Sequence, residues 1–194
     1  MKAGFAYLVL VMVLVGCGNN ENAATPATAL AAPAPVNQQV KAALLQPASN
    51  SIGVSRSQVL KHMEQIIKKR DEAPLASGEQ REMIRLTDLF SLELIGQPSA
   101  LRKVDLNIGL VGDVDASKDN LQLAMLTMFN VMPEWTGDKD SFIKWFNKTI
   151  PVLLSEATKT KLSAERSIIR NDKKITATFI GQLSLLFISV EPKS

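Results

Sequence analysis

Leu101-Arg102-Lys103-Val104-Asp105-Leu106-Asn107-Ile108-Gly109-Leu110-Val111 carries the clearest periodicity in this chain. Val104, Leu106, Ile108 and Leu110 recur at every second position, with Lys103, Asp105, Asn107 and Gly109 between them. Successive side chains of a strand point to opposite faces, so the pattern predicts a half-buried strand, oily on one side and wet on the other. Sheets of that kind are usually antiparallel. Just upstream, Phe90, Leu92 and Leu94 alternate with Ser91 and Glu93, and Gly96-Gln97-Pro98-Ser99 supplies the turn between the two strands. Residues 83–86 read as a further short strand.

On the amino-terminal side the period changes to that of a helix. Ser55 with Gln58 three residues later makes a capping-box pattern. Val59, Leu60, Met63, Ile66 and Ile67 then recur at helical spacing among Lys61, Glu64, Lys68, Lys69 and Arg70, which predicts an amphipathic helix of about four turns ending before Pro74. On the carboxyl-terminal side, Asp115 or Ser117 is expected to cap a helix carrying Leu121, Met125, Met128 and Met132, stopped by Pro133. Asp138 or Asp140 opens another with Phe142, Ile143, Trp145, Phe146 and Ile150, which Pro151 should terminate or kink. Residues 162–170, 173–180 and 183–190 return to strands, joined at Asn171-Asp172 and Gly181-Gln182.

The predicted order is helix, three antiparallel strands, two helices, three antiparallel strands. Strands grouped in runs argue for an α+β domain with helices packed on one face of the sheet. Ile-Gly-Gln occurs twice, at Ile95–Gln97 and Ile180–Gln182, each beside a turn, but three residues at glycine-favouring turns carry little information about duplication.

The amino terminus is of another kind. Lys2 precedes an apolar run of about 11 residues, too short to cross a bilayer that needs about 20 helical residues but suited to a secretory signal. Leu14-Val15-Gly16-Cys17 closes the run, with an aliphatic residue, a permissive one, a small one and a cysteine. This segment resembles the lipobox of bacterial lipoproteins. The resemblance implies cleavage after Gly16, a diacylglycerol thioether on Cys17, and acylation of the new amino terminus, palmitate included. Gly18 stands where, in enteric lipoproteins, an aspartate would retain the protein in the inner membrane, so the resemblance implies an outer-membrane anchor facing the periplasm. Cys17 is the only cysteine of 194 residues, which excludes an intramolecular disulfide.

Three parts follow: a signal peptide over 1–16, the lipidated cysteine and a flexible Ala/Pro-rich tether over 17–50, and a single α+β domain over 51–194. The domain is long enough to bury a core without disulfides. A formal charge of +3, with acidic and basic residues interspersed, is not the concentrated basic footprint of a nucleic-acid binder.

Motifs of chemistry are sparse. His62 is the only histidine and has no motif around it. Asp113-Val114-Asp115-Ala116-Ser117-Lys118-Asp119 spaces oxygen donors as a calcium loop begins, yet Lys118 replaces the turning glycine and Ala124 the bidentate glutamate, so helix capping is the better account. No phosphate loop, nucleophile elbow or metal spacing is present, so no catalytic residue, metal ligand or cofactor is assigned. Trp135, in a Pro-Glu-Trp-Thr-Gly connection, is either packed down or offered to a partner. Lys173 and Lys174 belong with Lys159, Lys161, Arg166 and Arg170 to a basic hairpin region that could meet anionic lipid, or simply be a solvated tip. The sequence therefore reads as a non-catalytic, lipid-anchored envelope protein, an accessory component of a periplasmic or outer-membrane assembly with an envelope protein partner. The alternative is a small-ligand or lipid-binding module using a cavity between helices and sheet, lined by Met125, Met128 and Trp145; a carboxylate-based cell-wall hydrolase comes third.

Overall fold

The computed structural model describes residues 50–111, 114–137 and 140–194. The segment expected as a signal peptide, Gly16, Cys17 and nearly all of the expected tether lie outside the described residues, as do Asp113 and Asp138.

The fold is α+β, with one seven-stranded, wholly antiparallel sheet in the order β1-β2-β3-β4-β7-β6-β5. The strands are β1 Lys69–Glu72, β2 Arg81–Arg85, β3 Phe90–Gln97, β4 Ala100–Gly109, β5 Ser163–Arg170, β6 Lys173–Ile180 and β7 Leu185–Pro192. The helices are α1 Arg56–Val59, α2 Val114–Val131 and α3 Phe142–Thr160. The alternation read around Leu106 holds: Val104, Leu106 and Ile108 are buried, facing Leu94, Leu92 and Phe90 on one side and Val190, Ile188 and Leu186 on the other. The opposite face carries Ser91, Glu93, Asp105, Asn107, Thr176 and Ser189. On the apolar face α2 packs against β4, and α3 against β5 and β6. The buried residues form one cluster spanning both halves.

Four expectations are corrected. The first strand group has four members, not three, because β1 occupies residues that helical spacing had assigned to the first helix. That helix is only four residues long; Ser55 Oγ does accept from the Gln58 N–H (3.2 Å), but Asn130 Nδ2 takes the Val59 and Lys61 carbonyls (3.0 and 2.9 Å) that further turns would need. His62 turns left-handed at φ 66°, and the Lys68 N–H already donates to Arg85 C=O at 2.9 Å, so a neighbouring strand wins the segment from its helix propensity. α2 begins at Val114, which puts Asp115 and Ser117 inside its first turn; Ser117 Oγ donates to Val111 C=O at 2.9 Å. α3 is capped by Ser141, whose Oγ accepts from the Lys144 N–H (3.4 Å), and it runs through Pro151 to Thr160. Pro151 is exposed, so the carbonyl it leaves unbonded can reach water. In compensation α3 buries Phe142, Phe146, Ile150, Leu153 and Ala157, the larger side chains worth about 1.5–3 kcal/mol each. Asn171 and Asp172 both take positive φ (47° and 60°), the conformation a two-residue hairpin turn demands.

The two halves of the sheet share a wiring. β2-β3-β4 and β5-β6-β7 are three-strand meanders joined antiparallel through β4 and β7. A half-turn about the Leu106–Ile188 pair carries the row Glu82-Leu94-Val104 onto Ala164-Phe179-Leu186. The two Ile-Gly-Gln triplets fall at equivalent places, at the ends of β3 and β6. What covers the two ends differs: α3 lies over the second, while only the short α1 and the segment 51–54 reach the first.

Candidate functional site

Beside the first residue of α1, a cavity of about 460 Å³ opens over the β2-β3 end of the sheet. Its apolar base includes Leu94 and Leu101, both nearly inaccessible, with Ala73, Pro74 and Pro98 beside them. Its polar wall includes Arg56, Arg81, Glu72 and Glu82. Backbone bonds hold the frame. The Arg56 N–H donates to Pro98 C=O (2.8 Å), the Leu101 N–H to Val54 C=O (2.9 Å), and the Gly96 N–H to Gln80 C=O (2.9 Å).

Glu82 is the only buried carboxylate among the described residues, at 8 % exposure. It sits in the apolar row of β2 because its spacing from Ile84 is two. A buried charge must be paired. Arg56 Nη2 donates to Glu82 Oε1 at 2.6 Å, Arg56 Nε stands against Oε2, and Arg70 Nη1 lies 3.6 Å from Oε1. Glu72 is directly opposite Glu82 on β1 and is exposed. An acid/base pair needs one carboxyl in apolar surroundings and one in polar ones. Here the buried member is engaged by two guanidiniums, which is the form of an ion-pair network.

A second hollow of about 360 Å³ adjoins the first, sharing Gln80 and Gly96 and reaching Asn50. Arg102 spans it, donating to both oxygens of Glu79 at 2.6 and 2.7 Å. The Arg102 hydrogen bonds hold the Glu79 carboxyl below its ordinary range, and Glu79 in turn raises the guanidinium.

A third concavity, an open groove of about 600 Å³ between α2 and α3, is lined by Val111, Val114, Leu121, Met125 and Phe146. Of the three residues expected to share one ligand cavity, only Met125 lines it; Met128 is fully buried, and Trp145 stacks with Trp135 and Phe142 at 5.8 and 6.0 Å.

Trp135 is packed down, at 4 % exposure. Its Nε1–H donates to Asp140 Oδ1 (3.2 Å), and Arg170, paired to Asp140 Oδ2 at 2.7 Å, covers the ring at 5.9 Å. Lys173 joins this cluster, donating to Val131 C=O (3.2 Å) and Glu134 Oε1 (3.1 Å). Burial raises the Glu134 carboxyl, but hydrogen bonds from its own backbone, Lys173 and Asn171 outweigh that and leave it below its ordinary value. Lys174 points to the other face of the sheet, 3.5 Å from Glu191. The structure thus brings Trp135 and Lys173 together and leaves Lys174 apart. With Arg166 on Glu156, four members of the basic hairpin region have acidic partners. His62 is exposed, and among the described residues no three His, Cys, Asp or Glu side chains gather as a metal set.

Arg56, Arg70 and Glu82 went unread in the sequence. A signal existed: continuing the period of Leu86 and Ile84 one step back puts a glutamate in a core position. Compared with protein-family models, curated proteins and solved structures, the chain matches none.

Proposed function

We propose that this chain is a lipid-anchored envelope protein, held at the outer membrane through Cys17 and facing the periplasm, whose α+β domain acts by binding rather than by catalysis. The anchor reading rests on Leu14-Val15-Gly16-Cys17 and the short apolar run before it. A single acyl chain binds a membrane marginally, whereas two or three hold it durably. The binding reading rests on one observation, the cavity of about 460 Å³ with an apolar base and a charged wall. That volume lies in the range of small-molecule sites, where apolar contact supplies affinity and a few polar groups fix orientation. Ala73, Pro74 and Pro98, backed by Leu94 and Leu101, take the body of a ligand or of a partner's protruding side chain, and Arg56 with Glu82 orients its polar end. This favours the small-ligand reading over a flat protein-docking face, because the aromatic side chains of the Trp135 cluster point inward.

Two measurements test the proposal. Intact mass of the mature protein from its native envelope should show a first residue at position 17 carrying acyl chains; a bare thiol there removes the anchor. A photoactivatable residue at Gln80, on the cavity wall, should give adducts in the envelope that the same residue at Thr178, on the wet face of the sheet, does not. Equal labelling from both positions removes the cavity as the binding site.

A further inference from the structure

β1 is an edge strand whose four residues are all exposed, and among the described residues no strand pairs with its outer side. A bare edge invites another strand, and proteins commonly guard such edges with charge. Here the charges run in an unusual order: Lys68, Lys69, Arg70, Asp71, Glu72, cations first and anions last.

Hydrogen bonds to a neighbouring strand alternate along an antiparallel strand. The Ala73 N–H donates inward to Arg81 C=O at 3.2 Å, so the backbone groups of Glu72 and Arg70 turn to the free edge. Two copies of β1 meeting edge to edge and antiparallel keep their helices on the same side, which requires partner residue numbers of one parity. Centring on Arg70 meets that requirement and makes Arg70 bond its own copy. It sets Lys69 against Asp71 and Lys68, just before the strand and with its own N–H kept on Arg85 C=O, against Glu72, each twice by symmetry. All four of those cross-strand pairs are of opposite charge, and such pairs favour a sheet. The central Arg70–Arg70 contact is already compensated within each copy, by Glu64 and by Glu82 at 3.6 Å. At the other edge of the sheet the charged residues of β5 are Glu165, Arg166 and Arg170, and no antiparallel self-register sets them against opposites.

We infer that two copies of this chain pair through β1, antiparallel about a two-fold axis at Arg70, joining their sheets into one. Such an interface is the same patch on both subunits, as closed two-fold dimers require. A short edge contact buries less than a stable soluble dimer needs, so the pairing is weak in dilute solution and strengthens with local concentration.

The test uses the full chain. Opposed residues of a hydrogen-bonded antiparallel pair have Cα atoms about 5.5 Å apart, a separation a disulfide spans. Arg70→Cys should therefore oxidise to a covalent dimer, while Ala76→Cys, in the β1–β2 loop, should not. In the Arg70→Cys background, Lys68→Glu with Lys69→Glu makes an all-acidic edge, and Asp71→Lys with Glu72→Lys an all-basic one. Each should lose covalent dimer by about tenfold, and mixing the two should restore it as a heterodimer. Sedimentation velocity on the half-swapped chains with Arg70 retained, at high protein concentration, should show the same loss and rescue without any engineered cysteine. Arg70→Cys remaining monomeric with an unchanged melt, or half-swapped chains that self-associate as the parent does, would overturn the inference.

Discussion

The two halves of the sheet are wired alike and finished differently. At the second end α3 lays Leu153 and Ala157 over β5 and β6, and the position related to Glu82 by the half-turn is Ala164. At the first end α1 is four residues long, and in place of a helix there is a cavity with Glu82 in its wall. One half is covered by a long helix and the other holds an open cavity. The strand registers match across the half-turn except at Ile95–Gly96, where the first half alone carries a shift in register.

The largest expected effect is on the filled half. Leu153→Ala should cost about 2–5 kcal/mol, since the side chain is fully buried and its removal leaves a cavity in the core. Leu94→Ala should fall near the low end of that range, because its space adjoins a cavity already open to water. Urea denaturation of both variants checks this, and an equal or larger loss for Leu94→Ala would break the comparison.

The paired glycines sharpen it next. Gly96 has φ 112°, and an added Cβ would lie 2.6 Å from the Arg102 nitrogen; Gly181 has no such backbone constraint, and its Cβ would come no nearer than 3.3 Å, to the Ala157 oxygen. Gly96→Ala should cost about 1–3 kcal/mol and Gly181→Ala less than about 1 kcal/mol, read as a difference in thermal midpoint. Similar costs would mean that the two triplets are not constrained differently.

Glu82→Ala copies the second half's residue into the first. It should cost about 1–2 kcal/mol, because it strands the Arg56 guanidinium, which at 32 % side-chain exposure is only partly rescued by solvent. Replacing the pair together, Arg56→Met with Glu82→Leu, should be nearly neutral. A double variant as unstable as the single would show that the charges hold the fold rather than furnish the cavity.

The smallest effect is in acid. A carboxylate whose folded pKa is lowered adds stability above its ordinary value of 4.5, and that stability is lost as pH falls through the lowered value. Glu79 with Arg102 in the first half and Glu134 with Lys173 in the second are both of this kind. Glu79→Gln should reduce the loss of stability between neutral pH and pH 3 by under about 1 kcal/mol, because the pair is solvent-screened. Melts at both pH values measure it; an unchanged acid sensitivity would remove Glu79 from the account.

Much of this was legible locally. Strong alternation at Phe90–Leu94 and Val104–Ile108 needs no distant information, because burying one face of a strand imposes period two. The same holds for Pro133 as a stop and for Asn171-Asp172 as a turn. The first helix was misread because Lys68–Arg70 has good helix propensity, and only the neighbouring β2 takes the backbone groups of that segment elsewhere, as the Asn130 amide takes the carbonyls of Val59 and Lys61. The candidate site was missed for a related reason. Arg56, Arg70 and Glu82 belong to three elements, and no spacing along the chain predicts that both guanidiniums will converge on the one carboxylate in the cavity wall.

The sequence by itself determined which residues face inward along the two strands around Leu92 and Leu106, and it carries the lipobox-like signal that motivates the proposed anchor, because periodicity and short motifs are properties of neighbouring residues. The tertiary structure alone decided that β4 and β7 join two meanders into one sheet, that α3 outlasts its proline, and that a carboxylate in an apolar row meets two guanidiniums. Those outcomes depend on which backbone donors, carbonyls and charges from distant segments compete for the same partners once the chain has closed on itself.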